Sequence, residues 1–398
     1  MNVLVLGKDK NLFHGDDVAY GDVRRRHCLY AKELVQQTGS NSSIRIICYT
    51  PIGNAYRETA PADGLTLFPT RSIHRITFAL GLLRLLPRVL RGWRPDLVTT
   101  QTPWGEAILG YLVARLTSAA FMPQLHFDLF SDRWLKESPL NHLHLIVARY
   151  LLRRADVIRV VSSRLKKQLA HDLAGAAKPI CVVPVAMASR TVPSVSREQA
   201  QRETLPSEFV GKPVVLYVGR FSYEKNLALW VEVAQRVGAA NGDTRFVLAG
   251  DGQLHDEISN MIQATDIRDR FLLLGEVAYS KLAQLYAAAN LLLLTSNHEG
   301  LGRVVCEAFF SGLPVVSTRC GGPEEIISDG QNGYLIPIGD RAGLVNRVID
   351  LLHDPQKAAT FGRRGQTHMQ ETLSEELLIS TMIDCWVKGA SKNSRARL

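Results

Sequence analysis

The chain has 398 residues, of which 46% are hydrophobic, and its formal net charge is +9 at pH 7. This length predicts two domains with substantial cores, and the composition excludes a disordered protein. Residues 1–190 hold 26 Lys and Arg against 14 Asp and Glu, a balance of +12, whereas residues 191–398 hold 21 against 24, a balance of −3. A basic half favours an anionic partner, and without a nucleic-acid motif a membrane surface fits better than nucleic acid.

The N-terminus and the cysteines favour a cytosolic setting. Met1–Gly7 has no basic segment followed by a long apolar one, and no stretch reaches the roughly 20 apolar residues that span a bilayer. The six cysteines form no Cys-x-x-Cys pair and no dense cluster. A disulfide framework or a structural zinc site is therefore not expected.

Short apolar runs alternate with helical patterns along the first half of the chain. Such alternation predicts βα units and a parallel sheet. The predicted strands are Val3–Leu6, Ile44–Cys48, Leu65–Phe68, Leu97–Thr100, Met122–Phe127, Val157–Val161 and Ile180–Val185. After the first strand, a loop with Tyr20-Gly21 opens an amphipathic helix that carries Arg24, Arg25 and Arg26.

A basic amphipathic helix is predicted at residues 75–94, with a kink at Pro87. Arg84, Arg88 and Arg91 share one face, and apolar residues fill the remainder. The helix could lie in the interface of an anionic membrane with Trp93 at headgroup level, or it could pack into the core; the two interpretations weigh about equally. A second basic cluster tilts the balance slightly toward the membrane: Arg149, Arg153, Arg154, Arg159, Arg164, Lys166 and Lys167.

His126 follows the apolar run Phe121–Leu125 and precedes Phe127-Asp128, so an imidazole and a carboxylate lie at another strand end. A histidine at such a position is either structural or part of a site. Asp128, Asp132 and Arg133 are weaker candidates for ligand contact.

Residues 191–212 shift to Ser, Pro and charge, which predicts an interdomain linker. The strand Val214–Val218 then ends in Gly219-Arg220, and Glu224-Lys225-Asn226 precedes a helix that begins at about Leu227. Arg220 and Lys225, five residues apart on this loop, could close on one diphosphate, because Arg offers a planar fork and Lys a point charge. A purely structural salt bridge is the alternative.

The second half repeats the alternation of strands and helices. Gly250-Asp251-Gly252 lacks the third glycine of a dinucleotide fingerprint, so NAD binding is not expected. Strands are predicted at Phe246–Ala249, Phe271–Leu274, Leu291–Leu294 and Val315–Val316, and helices at His255–Ala264, Lys281–Asn290, Leu344–Leu352 and Leu377–Val387.

The wholly apolar strand Leu291–Leu294 runs into a loop with Glu299, Gly300 and Gly302, and then into a helix that carries Glu307. Glycines let the backbone approach a ligand, and the helix N-terminus offers amide donors. Pro314 follows this helix, and a second loop, Gly321-Gly322-Pro323-Glu324-Glu325, follows the next strand. Two such loops with spaced glutamates favour an anionic or polyhydroxylated ligand over ordinary loop punctuation.

These residues carry a resemblance. Glu299 and Glu307 with Ala308, Gly312-Leu313-Pro314-Val315-Val316 and Gly321–Ile326 resemble the sugar-nucleotide signature of retaining glycosyltransferases of family 4 with the GT-B fold. The resemblance implies an α/β protein with two doubly wound Rossmann-like domains that face each other across a cleft. The implied acceptor-binding domain is residues 1–190, and the implied nucleotide-sugar-binding domain is residues 213–375. Residues 191–212 are the linker between them, and residues 376–398 form a helix that returns to the first domain and ends in a tail.

The resemblance also implies roles for particular residues. Arg220 and Lys225, with Gly219, bind the donor diphosphate, and Glu307 holds the ribose. Glu299 and His126 contact the donor sugar. The remaining donor-binding residues are Gly300, Leu301, Gly302, Val277 near the base, and Gly21, where only one of the family's two glycines is kept.

The implied reaction is transfer of a sugar from a UDP- or GDP-sugar to a glycan or lipid-linked acceptor, with retention of configuration and without a metal or other cofactor. Arg24–Arg26 could attract a phosphorylated acceptor or form a solvated face. Surface polysaccharide or lipopolysaccharide synthesis at the inner face of the cytoplasmic membrane is expected. Alternatives are a nucleotide-sugar epimerase, a glucan synthase or phosphorylase, and a non-catalytic basic membrane-binding protein.

Overall fold

The computed structural model describes residues 1–13, 22–52, 56–73, 77–173, 178–185 and 195–395. The chain divides into two compact units, and the predicted Rossmann-like α/β architecture is confirmed for each of them. The first unit comprises Met1–Ala188 with Glu375–Leu398, and the second comprises Ser189–Ser374.

The described part of the first unit contains a sheet of eight strands in the order β3-β4-β2-β1-β5-β6-β7-β8. All neighbours are parallel except β3, which pairs antiparallel with β4 at the edge. The strands are β1 (Asn2–Gly7), β2 (Ser43–Cys48), β3 (Thr59–Ala62), β4 (Leu65–Pro69), β5 (Leu97–Thr100), β6 (Ala120–Leu125), β7 (Ile158–Val160) and β8 (Ile180–Val182).

Helices cover this sheet and bury its apolar strands. β5 and β6 are buried along their whole lengths, as expected of parallel strands packed on both faces. The helices are α1 (Asp22–Thr38), α2 (Phe78–Leu90), α3 (Glu106–Thr117), α4 (Asp132–Glu137), α5 (Pro139–Leu152) and α6 (Ser163–Asp172). The last helix of the chain, Glu375–Arg395, also packs here, against α1 and β6.

The second unit contains a parallel sheet in the order β11-β10-β9-β12-β13-β14 among its described residues. Its strands are β9 (Val214–Val218), β10 (Arg245–Ala249), β11 (Phe271–Gly275), β12 (Leu291–Leu294), β13 (Val315–Thr318) and β14 (Gly333–Ile336). The strand order reverses between β9 and β12, so a crevice is expected at their carboxyl ends.

The helices of the second unit begin with α7 (Arg197–Thr204), α8 (Leu227–Ala240), α9 (His255–Gln263) and α10 (Tyr279–Ala288). They continue with α11 (Arg303–Phe310), α12 (Arg341–His353) and α13 (Pro355–Thr372), and the final helix of the chain is α14. The sheet core includes Tyr217, Trp230 and Phe246, all fully buried.

The predicted linker and the predicted basic helix both differ from the structure. Part of the predicted linker 191–212 forms helix α7, which packs on α10 within the second unit. The Ser196 hydroxyl caps the start of α7, and Ala200 and Gln201 are its buried residues. The predicted helix 75–94 is shorter. It ends at Leu90 and runs through Pro87, and Arg91 is extended beyond its end, so the predicted arginine face loses its last member.

Candidate functional site

The loop after β9 and the loop after β12 are held together by hydrogen bonds to backbone carbonyls. The Thr295 hydroxyl donates to the carbonyls of Lys225 and Asn226 at 3.2 and 3.0 Å, and the Asn297 amide donates to the Glu224 carbonyl at 2.8 Å. Asn226 takes a left-handed conformation, with φ of 48°, which ends the single 3₁₀ turn of Tyr223–Lys225 before α8 begins. The two strand ends at the reversal point therefore form one rigid surface.

Lys225 and Glu299 form an ion pair on this surface. The Nζ–Oε1 distance is 2.7 Å, and the two side chains are only 19% and 11% exposed. The Ser296 hydroxyl donates to the same carboxylate oxygen at 2.7 Å. Lys225 thus takes part in a salt bridge, and its partner is Glu299.

Arg220 differs from Lys225 in its surroundings. Its side chain is exposed, and it forms no ion pair or hydrogen bond with any residue that the structure describes. The loop that carries it is fixed from below, because the Tyr217 hydroxyl donates to the Arg220 carbonyl at 2.9 Å. An exposed guanidinium on a fixed loop can offer its planar fork to an anion.

Gly219 packs against the next strand end. The Gly219 amide donates to Ala249 at 2.9 Å, and the Gly250 amide donates to Gly275 at 2.8 Å. A Cβ added to Gly250 would lie 1.8 Å from the Gly219 carbonyl oxygen, and Gly250 has φ of +148°. Glycine at Gly250 is therefore required for the loops after β9 and β10 to approach this closely. Val277 follows β11 and is half-buried.

Glu307 lies on α11 with its carboxylate buried; the residue is 7% exposed. The Tyr286 hydroxyl donates to Oε2 at 2.9 Å, and Arg303 Nη2 contacts Oε1 at 3.4 Å. A carboxylate accepts several hydrogen bonds, and these two partners hold Glu307 in place. Sequence reasoning missed Tyr286, which lies 21 residues before Glu307 on a different helix.

The loop of Gly300, Leu301 and Gly302 leads into α11. Leu301 is buried, and Gly302 precedes the helix in a left-handed conformation with φ of 84°. The loop after β13 lies directly against it. The Glu299 amide donates to the Cys320 carbonyl at 2.7 Å, and the Gly322 amide donates to the Glu299 carbonyl at 3.1 Å. The backbone donors of α11 are thereby positioned by two loops.

The second glycine loop leads into a short 3₁₀ turn, with Pro323 near its start, and not into an α-helix. Gly322–Glu325 forms one 3₁₀ turn, and the chain soon returns into β14. The Gly321 amide donates to the Glu324 side chain at 3.0 Å, so its hydrogen bond is made within the loop. This loop supports the first one instead of adding a second helix N-terminus.

His298 is a residue to which the sequence analysis assigned no role. Its Nδ1 is buried and has no hydrogen-bond partner among the residues that the structure describes. It lies between Asn297, which anchors the loop, and Glu299. The signal available in the sequence was its position directly before Glu299, where the sugar-nucleotide signature begins.

The remaining predicted site residues lie in the first unit or outside the residues that the structure describes. His126 directly follows β6 and is half-buried, and its pKa is lowered to about 3 by burial first and then by the charges of Arg159 and Arg26. Asp128 is occupied structurally, because it accepts from Gln168 at 2.7 Å and from the Phe130 amide. Gly21 lies outside the described residues, as do the side chains of Asp132 and Arg133.

No group of three His, Cys, Asp or Glu side chains in the described ranges could hold a metal ion. The second unit instead presents carboxylates held by hydroxyl and cationic partners, beside an exposed arginine and a helix N-terminus. This combination can bind a ligand that has both hydroxyl groups and negative charge.

Sequence models of two families match the chain. Glycosyl transferases group 1 match residues 199–368, and a glycosyl transferase 4-like domain matches residues 29–186. The sulfoquinovosyl transferase of Arabidopsis thaliana is 27% identical over 77% of this chain, and the match spans 60% of that protein's length.

Solved structures with the same fold cover nearly the whole chain. Sucrose-phosphate synthase from Thermosynechococcus elongatus superposes with a TM-score of 0.83 at 18% identity, over 98% of this chain and 100% of its own. HepE from Anabaena, in complex with UDP-glucose, gives a TM-score of 0.73 at 20% identity, over 96% and 98% of the two chains. The chain belongs to the family 4 glycosyltransferases with the GT-B fold.

Proposed function

We propose that this protein transfers a sugar from a nucleotide-sugar to a glycan or lipid-linked acceptor, with retention of anomeric configuration. The observation that carries the proposal is the pair of largely buried carboxylates in the second unit, Glu299 and Glu307, each held by a hydroxyl donor, together with the exposed Arg220 on the loop after β9. Carboxylates suit the hydroxyl groups of ribose and sugar, and the guanidinium suits a diphosphate.

The charge distribution fits the chemistry of transfer. When the bond between the sugar C1 and the diphosphate oxygen breaks, negative charge grows on the departing diphosphate. Cations that are fixed before the reaction stabilise this charge more in the transition state than in the ground state. Arg220 is exposed and available for that role, whereas Lys225 shares its charge with Glu299 at 2.7 Å.

We assign Glu307 to the ribose hydroxyls and Glu299 to a hydroxyl of the donor sugar. Tyr286 fixes Oε2 of Glu307, and Ser296 with Lys225 fixes Oε1 of Glu299, so neither carboxylate has to be ordered when the ligand arrives. UDP-sugars are the first donors to test, because the structurally similar HepE was solved with UDP-glucose. GDP-sugars are second, because a GDP-mannose-dependent mannosyltransferase of Mycobacterium tuberculosis is 28% identical over 83% of this chain.

Activity is tested by the release of UDP or GDP from a panel of nucleotide-sugars, with and without sugar and lipid-linked acceptors. Release that depends on the acceptor, with the anomeric configuration of the donor retained in the product by proton NMR, supports the proposal. An altered nucleotide-sugar without any acceptor would identify an epimerase instead, and transfer from a sugar phosphate would identify a phosphorylase.

Arg220→Gln is expected to lower the rate by about 30- to 1000-fold, the scale of losing a donor to transition-state charge, about 2–4 kcal/mol. Arg236→Gln is the matched control, because Arg236 is likewise an exposed arginine, on α8. Equal rates for the two variants would remove Arg220 from the mechanism.

We further propose that the first unit binds an anionic membrane surface. Helix α2 buries Phe78, Leu82 and Val89 but exposes Leu80 by 68% and Leu83 by 51%, beside the exposed Arg84. Helices α3 and α5, which contact each other, also expose apolar side chains in rows: Ile108, Leu112 and Leu116, and Leu140, Leu143 and Ile146. Exposed apolar rows with nearby arginines suit the interface of an anionic bilayer.

No described helix has the length and apolarity to cross a bilayer. The test is co-sedimentation at low salt with vesicles of phosphatidylglycerol and phosphatidylcholine, compared with vesicles of phosphatidylcholine alone. Leu80→Ser with Leu83→Ser should weaken binding, whereas Ile338→Ser, an exposed apolar residue of the second unit, should not. Failure of the wild type to sediment with the anionic vesicles would contradict this proposal.

A further inference from the structure

A pocket in the first unit is lined by cationic and neutral side chains. It lies among β1, β6, β7, α1 and α14, and its cavity volume is about 50 Å³, enough for several waters or one small oxyanion. Its lining includes Arg26, Arg159, His126, His27 and Gln124, and no Asp or Glu lines it among the residues that the structure describes. A site of this composition has a positive potential.

Arg159 is the charge at the base of this pocket. It lies on β7 and is only 3% exposed, and its described partners are neutral. Nε donates to the Val183 carbonyl at 2.9 Å, Nη2 to the Pro184 carbonyl at 3.1 Å, and Nη1 to the side-chain oxygen of Gln124. No described carboxylate pairs with it. Burying a charge without a counter-charge is costly, so an arginine in this state is expected to meet an anion from outside the chain.

Gln124 continues the polar contacts across the sheet. Its amide nitrogen donates to the Thr99 hydroxyl at 2.8 Å, while its oxygen accepts from Arg159. Gln124 on β6, supported by Thr99 on β5, and the backbone carbonyls after β8 thus fix the guanidinium. The orientation of the fork is therefore set before any ligand binds, which reduces the entropy lost on binding.

Trp386 supplies a second, independent observation. It lies on α14, lines the same pocket and is 2% exposed, yet its indole Nε1 is buried without a hydrogen-bond partner among the described residues. A buried donor that lacks an acceptor is unfavourable, and native proteins rarely leave one unpaired. The pocket thus has a donor that needs an acceptor as well as a charge that needs a counter-charge.

His126 adds no further positive charge to the pocket near pH 7. Its pKa is lowered to about 3, by burial first and then by the positive charges of Arg159 and Arg26. The imidazole is therefore neutral near pH 7, and the guanidinium groups determine the charge of the pocket.

We propose that this pocket binds an oxyanion group, a carboxylate, phosphate or sulfonate, carried by one of the two substrates of the transfer reaction. Arg159 and Arg26 hold the charge, and the Trp386 indole donates a hydrogen bond to one of its oxygens. The inference rests on the proposed function for the identity of the ligand, but the binding of the anion itself can be measured without any transfer.

The indole NMR signal of Trp386 reports directly on the pocket. The chain has five tryptophans, and the cross-peak of Trp386 is identified as the one lost in Trp386→Phe. Inorganic phosphate and glycerol 3-phosphate are titrated into the full chain without nucleotide, with glycerol as the neutral control. A saturable shift of the Trp386 signal with the two anions, and none with glycerol, is the expected result.

Arg26→Gln tests the charge dependence, and Arg24→Gln is the matched control, since it makes the same change on the same helix outside the pocket. Arg26→Gln should raise the half-saturating anion concentration by about 10-fold or more, the scale of one charged hydrogen bond. Arg24→Gln should leave it unchanged. The proposal is overturned if the Trp386 signal does not shift, or if the two variants bind equally.

Further titrations assign the anion to one substrate. UDP-glucuronic acid is compared with UDP-glucose and UDP. If UDP-glucuronic acid shifts the Trp386 signal and UDP-glucose and UDP do not, the anion belongs to the donor sugar. If only inorganic phosphate and glycerol 3-phosphate shift the signal when UDP is present, the anion belongs to the acceptor. If the anion binds here but no nucleotide binds the second unit, the proposed function fails and the anion site stands.

Discussion

Removing the ammonium group of Lys225 is expected to destabilise the protein as well as slow transfer. Lys225→Met would leave the Glu299 carboxylate with the Ser296 hydroxyl but without its cation at 2.7 Å. A hydrogen bond to a charged group contributes about 1.5–3 kcal/mol, and solvent screening at these partly exposed side chains reduces the expected loss to about 1–2 kcal/mol. For a unit of this size, such a loss lowers the melting temperature by about 2–8 °C.

The assay is a double-mutant cycle in which Lys225→Met, Glu299→Gln and the double variant are unfolded by denaturant at one pH. The expected coupling energy is about 1–2 kcal/mol, since each single change removes the same ion pair. Arg220→Gln is the control and should change the unfolding free energy by less than about 0.5 kcal/mol, because Arg220 is exposed. Additive effects of the two single changes would show that the pair does not stabilise the loops, and would refute the reasoning.

Three further predictions concern the site and the pocket. Gly250→Ala should destabilise the second unit by more than about 2 kcal/mol in thermal unfolding, because the added Cβ would lie 1.8 Å from the Gly219 carbonyl oxygen. Gly242→Ala is the control and should be neutral or slightly stabilising, because a Cβ there meets nothing within 4 Å. Tyr286→Phe should weaken UDP binding several-fold and cost about 1 kcal/mol of stability, as it removes the donor to Glu307; unchanged affinity in calorimetry would count against the positioning role. His126 takes up a proton near pH 6.5 in the unfolded chain but only near pH 3 in the folded protein. The stability that neutral His126 contributes to the fold is therefore complete above about pH 6.5 and is lost as the pH falls toward about 3. His126→Asn should flatten that part of the pH profile of the unfolding free energy, and an unaltered profile would contradict the lowered pKa.

Much of the fold could be predicted because strands and loops are encoded locally. The predicted strands at Leu97–Thr100, Val214–Val218 and Leu291–Leu294 have the same bounds in the structure, since each is a short run of apolar, aromatic or β-branched residues. The edge strand β3 was not predicted, as Thr59–Ala62 has neither an apolar run nor alternation. Helix α7 was missed because its residues are mostly polar and the flanking Pro and Ser favoured a linker.

Side-chain pairing could not be predicted in the same way. Lys225 and Glu299 are 74 residues apart in the chain, and their contact depends on β12 pairing with β9, which no local pattern reveals. Arg159 was assigned to a surface basic cluster because charge predicts exposure, yet it is buried between β6 and α14 neighbours. The orphan indole of Trp386 became visible only once the last helix was placed on the first unit.

The most direct test of the central claim is calorimetric binding of UDP, GDP, ADP and CMP to the wild type and to Glu307→Ala. The predicted result is saturable binding of one nucleoside diphosphate by the wild type, with an affinity at least about 10-fold lower in the variant, as expected when a charged hydrogen-bond acceptor is removed. Circular dichroism of the variant would establish that its fold is retained. Binding of none of these nucleotides by the wild type, or equal affinity in the folded variant, would contradict the assignment of the second unit as a nucleotide-sugar site built around Glu307.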